Sequence, residues 1–211
     1  KMTTEILQPA AGIDNFIDGG VATTNKGSDV SLYIGTSAVT RHRRSLIKFD
    51  LSSIPAGAII SSASLGLYLN AIFTFAISTI TVYRQKRAWV ETQSTWNIYS
   101  TGNNWQTAGG FGADDCEQAG IGSLAFSASP TLNQFYTWTL TTSAIQEWLS
   151  GGFANNGLLL KSTEVDGSLM GFASSDIGTA NQRPKLTIGY TLPGGSGMRG
   201  LAWTTLCPFG Y

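Results

Sequence analysis

Two short runs of strict alternation constrain this chain more than any other feature. Residues 44–51 place Ile47, Phe49 and Leu51 on one side and Leu46, Lys48 and Asp50 on the other, and Ala63, Leu65, Leu67 and Leu69 then alternate with Ser62, Ser64, Gly66 and Tyr68. A period of two marks a β-strand with one buried face, because successive side chains leave a pleated backbone on opposite sides. Between the runs, Pro55 fixes φ and cannot donate to a ladder, while Gly57 accepts positive φ, so the chain turns there. Two half-buried strands need a second layer over their apolar faces, which predicts sheet packed on sheet.

The same grammar recurs along the chain. Short apolar pieces separated by turn residues fill residues 13–35, and Ser78 to Tyr83 opposes Ile80 and Val82 to Thr79, Thr81 and Tyr83. After the Asn155-Asn156-Gly157 turn, residues 158–161, 170–174 and 185–190 read as further strands. One helix is predicted within residues 140–152, with Ser143 and Gln146 as a capping box, Ile145, Trp148 and Leu149 on one face, and Gly151 as its stop. Between residues 97 and 129 the period disappears among glycines, and a loop of that length is where specificity is expected. The predicted fold is all-β, an antiparallel, jelly-roll-like β-sandwich with one short helix and a C-terminal extension. Its parts are a sandwich over residues 1–191, a Gly-rich linker over 192–200, and an apolar arm over 201–211 carrying Leu201, Trp203, Leu206, Phe209 and Tyr211.

Charge narrows the partners. Lys plus Arg equals Asp plus Glu at 13 each, and charged residues make up 12% of the chain, about half the usual share. Such a surface of small polar residues is common among secreted, cell-surface and virion proteins. Without a net positive field, nucleic acid is not an expected partner. Membrane insertion is not expected either, since no apolar run approaches a bilayer-spanning length. No signal segment is legible at the start, so one is expected to be removed or never present. Cys116 and Cys207 are too few for a disulfide framework. Two thiols are expected, with a bond between them, pinning the arm to the long loop, as the alternative.

The chain resembles the DNRLRE family, which is classed among carbohydrate-binding modules. The matching stretches include Asn25-Lys26-Gly27-Ser28, Arg44 through Leu51, Ile54 through Ala58, Ala63 through Tyr68, Trp89-Val90-Glu91, Ser94-Thr95-Trp96, Trp138 through Thr141, Ile145 through Leu149, Asn156 through Lys161, Ser174-Ser175 and Arg183 through Leu186. They span about residues 12–190 and are mostly scaffold. The resemblance implies a β-sandwich that serves as a non-catalytic module of secreted polysaccharide-active or cell-surface proteins, with stand-alone relatives among bacteriophage structural proteins. The chain is expected to depart from the secreted pattern as a lone domain with no signal segment and an apolar tail, and its loop at residues 97–111 is similar to that of the phage-type relatives.

Few residues carry chemistry. His42 is the sole histidine, and the like charges of Arg41, Arg43 and Arg44 oppose its protonation, so neither catalysis nor a cofactor is expected. The three arginines suit a carboxylate or sulfate of an acidic polysaccharide, or simply guard a strand edge. Trp105, among Asn103, Asn104 and Gln106, is a candidate exposed indole for a sugar face or a protein partner, or else folds back under the loop. Trp89, Trp96, Trp138 and Trp148 are expected in the core. Asp114, Asp115 and Glu117 are a candidate calcium set, although they lack the alternating spacing of a dedicated calcium loop and a solvated acidic loop is the plainer expectation. The functional expectation is a non-catalytic structural or attachment component of a virion, as capsid decoration or tail-associated, or of a cell-surface assembly. Neighbouring chains of a homo-oligomer or virion would be its partners, at a virion or extracellular surface. The alternative is a soluble extracellular module that binds a polysaccharide.

Overall fold

Strand β5 (Ile59–Thr74) organises the sheet, because its 16 residues are long enough to hold three partners. The computed structural model describes residues 2–8, 13–37 and 41–193. Along one edge β5 pairs first with β13 (Lys185–Thr191) and then with β12 (Ser168–Ala173), with register shifts inside both ladders; along the other it pairs with β10 (Gln134–Thr139). All these ladders are antiparallel. Beyond β13 lies β1 (Met2–Leu7) at the sheet edge.

Strand β12 also pairs with β3 (Ser31–Thr36), which carries the hydrogen bonding round to β4 (His42–Ile47). There the branch repeats: β2 (Asp14–Asp18) takes one edge of β4 and β11 (Leu158–Ser162) the other. The path continues through β6 (Ser78–Arg84) to β9 (Gly122–Phe126). One sheet of 11 strands thus curls on itself, and its two halves face each other as the layers of a sandwich. The alternating residues fill the interior as expected, with Ile47, Phe49, Leu51, Leu65, Leu67 and Leu69 all buried in one core with Leu158, Leu160, Leu186 and Ile188. Trp138 closes the seam between β10 and the opposite half by donating its indole hydrogen to the Ile80 carbonyl at 2.9 Å.

Helix α1 (Thr142–Ser150) packs on β5 through Ala144, Ile145 and Trp148. It stops at Gly151, whose φ of 76° is the left-handed conformation that glycine adopts without penalty. The expected capping box does not form. Thr141 occupies the N-cap with no side-chain cap bond, and Gln146 reaches across to β5 instead, accepting from the Ile60 amide at 2.9 Å and donating to the Ala58 carbonyl at 3.0 Å. A bond that ties the helix to the sheet replaces one that would have closed its first turn.

Residue 46 departs from the half-buried reading of β4. Leu46 should face solvent, yet it is fully buried with Ile17, Leu159 and Trp105 in a second apolar cluster. The chain between β6 and β9 covers it, folding back over the outer face with the short hairpin β7 (Ile98–Ser100) and β8 (Asn103–Asn104) inside it. Tyr83, Trp89, Trp96, Tyr99 and Phe111 pack round that cluster. The long loop is therefore a third layer with its own core.

Candidate functional site

The third layer is fixed by one buried carboxylate. Asp115 accepts from the backbone amides of Gln106, Thr107 and Gly112 at 2.7, 2.9 and 3.1 Å, so it satisfies donors that a long loop would otherwise leave unpaired. Glu117 is taken up by Arg84 at 2.7 Å, and Arg84 also grips Glu147 of α1 at 2.6 Å. Asp114 is exposed and holds Gln106 through its side chain and its backbone amide. As a calcium set these three do not converge, because two of the carboxylates are committed to amides and to arginine. Burial, with Asp115 alongside, pushes the Cys116 thiol up to about 12, which leaves it without nucleophilic character. Cys207 and the proposed arm, Leu201, Trp203, Leu206, Phe209 and Tyr211, lie outside the described residues.

Trp105 is not an exposed platform. It is 4% exposed, its indole donates to the Thr95 carbonyl at 2.9 Å, and its ring packs beside Tyr99. The polar neighbours that suggested a surface residue are themselves exposed on the hairpin, while the indole turns under it.

The arginine cluster divides by the pleat of β4. Arg41 and Arg43 converge on Asp18 at 3.0 and 2.7 Å, and both line a shallow pocket with Tyr33 and Phe73. Arg44 lies with Leu46 beneath the third layer, where it bonds Glu164 and the Gly109 carbonyl, each at 2.7 Å, and stacks over Trp96. The three arginines do not form one anion clamp. His42 bonds Thr36 at 2.9 Å and stacks on Trp96, a structural arrangement for the sole histidine.

What the fold does bring together lies at the junction of the third layer with β2. A cleft of about 450 Å³ opens between Lys48, Asp50, Trp89, Glu91 and Asn155. Trp89 is held there by its indole, which donates to the Asn156 carbonyl at 2.8 Å. Glu91 turns inward from the cleft, and its carboxylate accepts from the Asp14 amide at 2.8 Å. Its backbone carbonyl is gripped by the side-chain amides of Asn25 and Asn15 at 2.6 and 3.3 Å. Gly27 permits this close approach, since a Cβ there would sit 2.6 Å from the same carbonyl oxygen.

Behind Glu91, Asp14 is 1% exposed and accepts from the Ser175 amide at 2.7 Å. Burial pushes the Asp14 carboxyl up to about 7, and Glu91 and Asp176 push it the same way, against the hydrogen bond from the Ser175 amide. Burial also raises Glu91, with Asp176 adding to it. Sequence reasoning missed this convergence because Asp14, Glu91 and Asp176 come from distant segments with no spacing in common. The available signal was an acidic residue inside the apolar run Ile13-Asp14-Asn15-Phe16-Ile17.

The curled antiparallel sheet, its extra loop-built layer and a cleft at their junction define an all-β sandwich module. By sequence the chain belongs to the disaggregatase related repeat domain family, whose family model matches residues 20–188. That finding overturns the resemblance to the DNRLRE family: the motifs that carried it are strand and turn residues of a sandwich scaffold, which do not separate one sandwich family from another. No curated protein matches the chain.

Proposed function

We propose that this domain is a non-catalytic attachment module of a cell-surface or extracellular assembly, and that it holds a polysaccharide in the cleft between Lys48 and Trp89. The observation that carries the reading is the cleft itself. A pyranose ring offers an apolar face and a rim of hydroxyls, and Trp89, Lys48, Asp50 and Asn155 supply an aromatic surface with donors and acceptors in a volume of about 450 Å³. A repeat related to disaggregatase also suits a unit that works joined to others. A virion setting loses the support of the phage-type DNRLRE relatives but keeps that of the small-polar surface composition, which virion and cell-surface proteins share.

The test is affinity electrophoresis of the intact protein through a panel of neutral and acidic polysaccharides, alongside Lys48→Ala and Trp89→Phe. One polysaccharide should retard the parent and neither variant, with melting temperatures unchanged for Lys48→Ala, whose side chain is exposed. A parent that no polysaccharide retards refutes the reading.

A second reading, assembly with neighbouring chains, is favoured by β1. Among the described residues this strand pairs with β13 alone, which leaves its other edge without a described partner, and Met2 and Ile6 on one of its faces are both exposed there. Replacing both by Lys should shift the mass in sedimentation if copies join there. An unchanged mass rules that edge out.

A further inference from the structure

We propose that Asp14, Glu91 and Asp176 form a divalent-cation site, taking calcium, that locks the third layer to the sandwich. One carboxylate oxygen from each of the three lies within 4.8 Å of the other two. Oxygens bound to one calcium ion at about 2.3–2.6 Å stand at most about 5.2 Å apart across it, so this span fits around a single ion.

Convergence of acidic groups alone would not make a site, but two further observations point to a missing ligand. The first is unused oxygen. The Ser175 hydroxyl is fully buried beside the Asp14 carboxyl and makes no hydrogen bond of its own, and the buried Oδ2 of Asp176 likewise has no partner. Buried polar atoms without partners are destabilising, and a bound cation would satisfy both. The second is uncompensated charge. None of the ion pairs among the described residues involves Asp14, Glu91 or Asp176, whereas the other buried carboxylates, Asp18 and Asp115, each have an arginine.

The surroundings are built to hold the three in place. Asp14 opens β2, its amide fixes Glu91, and its carboxylate fixes the Ser175 amide, so all three segments are already tied through this residue. The Asn15 and Asn25 amides clamp the Glu91 backbone from behind. Ser174 holds Asp176 by accepting from its amide at 3.1 Å. An ion here would join β2, the start of the third layer and the turn after β12. The assignment does not rest on the cleft's ligand, although Glu91 borders both.

Calorimetric titration of the chelator-stripped chain with calcium and with magnesium, without polysaccharide, tests the site. One calcium ion per chain should bind saturably and raise the melting temperature, with magnesium at least about tenfold weaker because it dehydrates reluctantly and demands closer ligands. Asp176→Asn should weaken calcium at least about tenfold, as should Glu91→Gln, which serves if the first variant does not fold; both remove a ligand charge. Asp114→Asn should bind as the parent does. No saturable calcium binding, magnesium binding as tightly as calcium, or either site variant binding calcium like the parent overturns the proposal.

Discussion

The Trp105 indole and the Thr95 carbonyl, joined at 2.9 Å, bind the hairpin of the third layer to the turn that leads into it. Because Trp105 is buried with Ile17, Leu46 and Leu159, its removal opens a cavity between that layer and the sheet. Trp105→Ala should cost about 3–5 kcal/mol, read from denaturant unfolding. A loss below about 1 kcal/mol, the level of an ordinary surface substitution, would mean the indole is not packed as described.

Asp18 predicts a pH dependence. Burial works to raise its pKa, but the hydrogen bonds from Arg41 and Arg43 and from the Gly20 amide outweigh it and hold the carboxyl below its ordinary 3.8. A carboxylate whose folded pKa lies below its unfolded value contributes stability that is present above the unfolded pKa and lost as pH falls through the folded one. Stability should therefore drop below about pH 4, and Asp18→Asn should show a shallower acid slope together with lower stability at neutral pH. Parallel curves for the two proteins between pH 5 and 2 would contradict the role of this cluster.

Phe49 lies two residues beyond the end of β4, yet it is 2% exposed in the main core. Phe49→Ala should cost about 3–5 kcal/mol, while Lys48→Ala, one residue earlier and exposed, should cost less than about 0.5 kcal/mol. Equal costs for the pair would put the register off by one.

The elements that were legible are those whose periodicity is a local property. The apolar side of β5, the inward set Ile47, Phe49 and Leu51, and the Gly151 stop all follow from spacing and from one backbone preference. Strand β10 was not legible as a strand, because only Trp138 of Gln134–Thr139 is buried and its polar neighbours break no pattern. Strand β1 was hidden for a similar reason: no residue in it is buried, and among the described residues ladder bonds to β13 alone define it. The capping box at Ser143 and Gln146 failed because the Gln146 amide found two backbone partners at the start of β5, Ile60 within it and Ala58 just before it, which a local motif cannot anticipate.

For the sites, every sequence-level argument treated exposure as a property of neighbours along the chain. Trp105 has polar neighbours and is buried; Asp115 sits in an acidic, Gly-rich loop and is the anchor of that loop. Asp14, Glu91 and Asp176 show the converse, for nothing within any one segment marks them as companions.

The sequence by itself determined that this protein is all-β, because many short runs with a period of two and one apolar side, and a single short helix to cover them, leave sheet-on-sheet packing as the way to bury those faces. Tertiary structure alone decided that residues between β6 and β9 return to cover Leu46 and that three acidic residues meet behind Trp89. Both depend on contacts between segments tens of residues apart, and such contacts are set by how the whole curled sheet closes, not by any local preference of the chain.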